Sequence, residues 1–141
     1  MSGLFHGGVP GLRPGDLIQP GHERQLRDDC PWCQARARDE AGPAGIDDRT
    51  GRRDRVYATT SRLYASHYAS LWCRGDLYRV EPVGDVEAST EDSIESVCTP
   101  ALRVLAVLDR AVLLTDSERR RLFREWTAAD KARGWLPAWN T

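Results

Sequence analysis

The chain of 141 residues is short of several things, and each shortage excludes something. Lysine is almost missing. Lys131 is the only one, so nearly all positive charge is arginine, which we read as coding bias rather than function. An excess of one charge sign is missing as well: 20 Lys+Arg stand against 21 Asp+Glu, a formal net charge of −1. That balance excludes a strongly basic nucleic-acid coat and a polybasic membrane binder, while leaving local patches open. No long apolar run occurs. The richest stretch, Leu102–Leu114, is broken by Arg103, Asp109 and Arg110, so it spans no bilayer. The opening MSGLFHGG has no charged stretch followed by an apolar core, so no secretory signal is expected and a cytoplasmic setting is. No internal repeat is visible, and no second C-x-x-C accompanies Cys30 and Cys33.

What is present fits one domain over 1–141, with 40% hydrophobic and 29% charged residues. Glycines and prolines crowd residues 7–21 around Leu4-Phe5 and Leu17-Ile18, which reads as strand, turn-rich loop and strand. Residues 22–55 hold eight arginines and eight acids with little apolar periodicity, a charged insert in which only a helix near Pro31–Ala41 is expected. Order resumes with a strand at Arg55–Thr60. Ser61 then caps a helix reaching about Trp72, with Leu63, Tyr64, Tyr68 and Leu71 on one stripe. Asp76–Glu81 alternates as a strand, and Pro82 with Gly84 turns the chain. Leu102–Leu108 and Ala111–Leu114 read as two strands about an Asp109-Arg110 turn. Thr115 and Glu118 form a capping box for a helix over 115–133. Leu122, Phe123, Trp126 and Ala129 are its expected apolar face, and Gly134 its stop.

Three places carry candidate chemistry. His6 ends a strand and is followed by Gly7 and Gly8, so a histidine able to donate to a ligand hydroxyl sits where backbone can approach a ribose or phosphate. Tyr57 precedes Thr59 and Ser61 at a strand-to-helix junction, which offers a ring to stack on a flat heterocycle and donors for an anion. Residues 81–98 contain six acids and neither Lys nor Arg, and a carboxylate beside a cleft can offset positive charge on a sugar ring. On residue type alone, each also reads as a turn histidine, a core tyrosine with an ordinary cap, and a solvated loop.

Taken in order, the segments FHGG, GLRPGDLIQPG, VYATTSRLYASHYASLW and GDLYRVEPVGDVE resemble the rifamycin ADP-ribosyltransferases, small bacterial enzymes that pass ADP-ribose from NAD to a hydroxyl of the antibiotic. The resemblance covers about half of the chain, and the RPGDLIQPG and YRVEPVG runs are its most specific parts. It implies an α/β (α+β) fold with a small split, twisted β-sheet, few helices and a cleft between two half-sheets. It further implies a site made of a histidine, a tyrosine and an acid. His6 would hydrogen-bond the riboses of NAD, Gly7 would meet the nicotinamide amide through its backbone, and Tyr57 would stack on nicotinamide. A carboxylate would offset the charge left as nicotinamide departs.

Two departures from the family pattern matter. The acid expected eight positions beyond Glu81 is Ser89 here, so the carboxylate falls to Glu91, then Asp92, then Glu87. The stretch that precedes the Leu102–Leu108 strand is shorter than the family's, so the acceptor pocket is expected to differ and a rifamycin is an acceptor by analogy. The acceptor could equally be protein, nucleic acid or water, as in a toxin or NAD glycohydrolase. An eroded site would leave a non-catalytic NAD- or zinc-binding module. Cys30 and Cys33 are weak zinc candidates that would need two more ligands, with His22, Cys73 and Cys98 available. Arg119, Arg120, Arg121 and Arg124 form a solvated face on the last helix that could also meet an acidic partner.

Overall fold

The computed structural model describes residues 3–20, 54–71, 75–90 and 92–135. In chain order these form β1 (Leu4–Gly8), β2 (Leu17–Ile18), β3 (Val56–Thr59), α1 (Arg62–Leu71), β4 (Asp76–Val83), β5 (Glu87–Ala88), β6 (Ser96–Thr99), β7 (Ala101–Asp109) and α2 (Asp116–Ala132). Among the described residues the fold is mixed α/β: one antiparallel sheet in the order β2-β7-β4-β1-β3-β6-β5, with two helices. Among the described residues no helix is long and apolar enough to cross a membrane. The insert expected over 22–55 lies outside the described residues except for Asp54 and Arg55.

The sheet is not evenly knit. β1 and β4 pair along five residues, from Leu4↔Val80 to Gly8↔Asp76, and β3 and β6 pair along four. Between β1 and β3 there is one register pair, Phe5↔Thr59. The larger half (β2, β7, β4, β1) therefore meets the smaller half (β3, β6, β5) at a narrow seam.

Side-chain alternation along the strands sorts the core into layers. Tyr78 and Val80 of β4 face one way with Val56 and Ala58 of β3, Leu102 and Val104 of β7, and Leu12 from the loop after β1. Phe5 and Leu77 face the other way, onto Ala65 and Ala69 of α1. A third cluster joins α1 to α2 through Leu63, Tyr64, Ile94, Leu114 and Leu122. Both helices start as their sequences dictate. The Ser61 hydroxyl accepts from the Tyr64 amide at 3.1 Å, and Thr115 with Glu118 closes a reciprocal capping box.

Four local expectations are corrected. β4 continues through Pro82 to Val83, and the turn comes at Gly84 with φ 98°. β1 starts opposite Val80, so among the described residues the stretch of β4 beyond that point has a ladder neighbour only in β7, and a residue without an N–H is accommodated. Ala111–Leu114 forms no strand, although Val112 and Leu114 are buried and Leu113 is exposed; its alternation comes from packing between sheet and α2. β6, Ser96–Thr99, went unanticipated because its buried residues are Ser, Cys and Thr. Phe123 does not join the apolar face of α2. It is 56% exposed, about 100° around the helix from buried Leu122.

One buried carboxylate ties the end of β1 to the end of β7. Asp76, 2% exposed, accepts from the Gly11 amide at 2.9 Å and the Ala111 amide at 2.9 Å, and from the Arg110 guanidinium. Arg110 also donates to the Leu12 carbonyl at 3.1 Å, and Tyr78 donates to the Val9 carbonyl while accepting from the Leu12 amide. Ala111 is held at φ 50°, a left-handed conformation costly for a residue with a Cβ, by the bond from its amide. Burial by itself would raise the Asp76 pKa, but the two amides and Arg110 outweigh it and hold the carboxyl below its usual range. Asp76→Ala would strand both amides and should cost about 3 kcal/mol in urea unfolding at pH 7. A carboxyl lowered on folding contributes stability above its unfolded value and loses it as pH falls through the folded one. The gap between wild type and Asp76→Ala should therefore close as pH drops below about 4.

Candidate functional site

The His6 side chain lies at the seam. Its Nδ1 is 2.7 Å from the Tyr57 carbonyl oxygen, and since a carbonyl only accepts, Nδ1 carries the proton and donates. The contact ties β1 to β3 one residue beyond the Phe5↔Thr59 pair. In the neutral ring this leaves Nε2 as a bare acceptor. Burial lowers the His6 pKa and the bond to Tyr57 opposes it in part, so the ring is neutral at pH 7.

The two glycines after His6 have different tasks. A Cβ on Gly7 would land on the Ala65 carbonyl oxygen and lie 2.6 Å from the Ala69 amide nitrogen, so Gly7 lets α1 rest on the β1 backbone. A Cβ on Gly8 would lie 2.7 Å from His6 Nε2, so Gly8 keeps the space beside that nitrogen open. The buried side of Gly7 is thus taken up by the helix.

Tyr57 is half-buried, and alternation sets its ring on the face of β3 opposite Val56 and Ala58. On that face it aligns with Cys98 of β6 and Glu87 of β5. The structure therefore joins His6 to the main chain of Tyr57, and the ring of Tyr57 to a row that ends in a carboxylate. Glu87 is engaged there: Arg55 contacts it at 3.3 Å and Asp85 at 2.9 Å. Thr59 and Ser61 are also engaged locally. The Thr59 hydroxyl accepts from the Ser61 amide and donates to the Glu95 carbonyl at 2.7 Å, while Ser61 caps α1.

Glu91, Cys30, Cys33, His22 and Cys73 lie outside the described residues. Asp92 is described and half-buried, on the segment between β5 and β6. Cys98 is buried, and among the described residues no group of three or more His, Cys, Asp or Glu could hold a metal ion. Sequence reading missed the roles of Asp76, Tyr78 and Arg110, which fix the loop after His6. The only signal for these roles was an Asp at a strand start beside a glycine.

Near the α1–α2 contact, burial and then the charge of Arg119 lower the pKa of His67. This second neutral histidine packs edge-on against Trp126.

No protein-family model and no curated protein matches this chain.

The glycines give a direct test. Gly7→Ala should lift α1 from the sheet and destabilise the fold by about 3 kcal/mol or more. Gly8→Ala meets only the far end of a side chain and should cost less than about 1 kcal/mol while moving the His6 ring. Thermal melts would check the first difference, and the NMR titration of His6 the second.

Proposed function

We propose that the chain is an NAD-dependent ADP-ribosyltransferase that moves ADP-ribose from NAD to an acceptor nucleophile, with a small molecule of the rifamycin type as the first acceptor to try. The observation that carries this reading is the His6 bond to the Tyr57 carbonyl at the seam between the two halves of the sheet. It joins the His6 side chain to the main chain of Tyr57, the two residues that the family resemblance singles out. The narrow seam is read as the cleft of an ADP-ribosyltransferase sheet.

The residues suit a dinucleotide in a way that can be stated atom by atom. With its Nδ1 proton committed, His6 offers Nε2 as an acceptor for a ribose hydroxyl, and the absent Cβ of Gly8 leaves room beside it. Tyr57 supplies a ring for a flat heterocycle. NAD, when bound, supplies the glycosidic bond to nicotinamide that breaks in the reaction. The chain's part is to orient the ribose through His6, seat the leaving ring on Tyr57, and set a carboxylate where positive charge develops. By sequence Glu91 is the first choice for that carboxylate. The bond between Arg55 and Glu87 disfavours Glu87. Such chemistry needs preorganised charge and exclusion of water at the reacting carbon.

The test is nicotinamide release from NAD by the purified protein, with and without rifampicin, beside His6→Ala. Release that rises with rifampicin and falls at least about 100-fold in His6→Ala is the expected result. Release unaffected by rifampicin would keep the enzyme and redirect the acceptor to protein, nucleic acid or water. Absence of release with and without acceptor would overturn the reading.

A further inference from the structure

α2 carries positive charge where an isolated helix disfavours it. Asp116 and Glu118 open the helix, as its unsatisfied first amides favour, but Arg119, Arg120 and Arg121 follow directly, still near the end that repels cations. Arg120 and Arg124 stand four residues apart on one stripe, and Arg121 and Arg124 three apart, so like charges face each other where a solvated helix gains by alternating sign. Asp116 lies one turn before Arg119 and Arg120, whereas the residues one turn from Arg124 are Arg120, Arg121, Thr127 and Ala128. Among the described residues the arginines in ion pairs are Arg55, Arg103 and Arg110, none of them on α2.

An aromatic ring sits among these charges. Phe123 is one turn from Arg119 and Arg120 and adjacent to Arg124. It is 56% exposed, and together with those three exposed arginines it lines one open hollow. Leu122 and Trp126 supply the packing toward α1 from the other side of the helix. The fold therefore makes no use of this patch.

We propose that this face of α2 binds single-stranded nucleic acid, with Arg119, Arg120 and Arg124 on the phosphates and a base stacked on Phe123. Guanidinium groups are planar, permanently charged forks that match phosphate oxygens, and a bound polyanion relieves the repulsion among them. The exposed ring decides between polyanions, because every base offers a flat face to stack and an acidic peptide does not. The three arginines span about 7.5 Å of helix axis, which suits a short length of one flexible strand. With a formal net charge of −1 on the whole chain, the attraction is confined to the patch and is modest and salt-dependent. The surface stands independently of the ADP-ribosyltransferase reading.

The test is fluorescence anisotropy of a labelled, mixed-sequence RNA strand of about 12 nucleotides, titrated with the whole chain over a range of salt. The expected Kd is on the order of 10–100 μM in about 50 mM salt, with log K falling by about 2 per decade of salt, or about 0.7 for each of three phosphates. Replacing Arg120 and Arg124 together by alanine should weaken binding at least about tenfold and reduce the slope by about 1.4. Phe123→Ala should weaken binding about fivefold to tenfold with the slope unchanged, and Phe123→Tyr, which keeps a ring, should bind as wild type does. These side chains are exposed, so melting temperatures should stay within about 2 °C of wild type; if Phe123→Ala melts early, the arginine variant decides the question by itself. Absence of saturable binding up to about 500 μM protein, or binding unchanged in the arginine variant, would overturn the proposal. So would a folded Phe123→Ala that binds as wild type does. A poly-glutamate chain of equal charge that competes as well as RNA would also overturn it and assign the face to an acidic protein.

Discussion

Between β1 and β3 the sheet is held by one register pair and one histidine proton. A ladder of several pairs would make the two halves a continuous surface, whereas a single pair leaves them joined at a seam. The His6 bond to Tyr57 adds a second tie at that point and fixes the tautomer of the ring in doing so. A neutral histidine is required on two counts: burial disfavours its charge, and the bare Nε2 exists only while the ring is neutral. Structure and proposed chemistry therefore make the same demand on one side chain.

Around the seam, each neighbour constrains His6 from a different side. Gly7 admits α1 to the back of β1, and Gly8 clears the space beside Nε2. Asp76, Tyr78 and Arg110 pin the loop that leaves β1, so the strand end has little freedom. From β3 onward, Thr59 and Ser61 start α1, and α1 in turn packs on Ile94. The strand–helix unit 56–71 thereby touches the histidine on one side and the acidic segment on the other. That is how three places far apart in the sequence come to share one region.

How much of this was legible in the sequence depends on the range of the interaction. The caps at Ser61 and Thr115 were readable because each is a local hydrogen bond with a residue signature. β1, β2 and most of β4 were readable from short apolar runs bounded by glycine and proline. β6 was not, because a strand that buries Ser96, Cys98 and Thr99 has no apolar alternation to detect. Ala111–Leu114 misled for the opposite reason, since it alternates without pairing. His6 and Tyr57 were flagged by family resemblance, but the bond between them spans 51 residues and has no local trace. The choice among Glu87, Glu91 and Asp92 could not be made by counting positions. The contact with Arg55 now sets Glu87 apart from the other two.

If the seam is where a dinucleotide binds, His6 must use both ring nitrogens, one for the fold and one for the ligand. Heteronuclear NMR of the imidazole nitrogens during titration with NAD observes this directly. The account predicts a free protein with Nδ1 protonated and Nε2 bare, and a shift of Nε2 on adding NAD while Nδ1 stays bonded to Tyr57. A proton on Nε2 in the free protein, or an Nε2 signal unmoved by NAD, would contradict it.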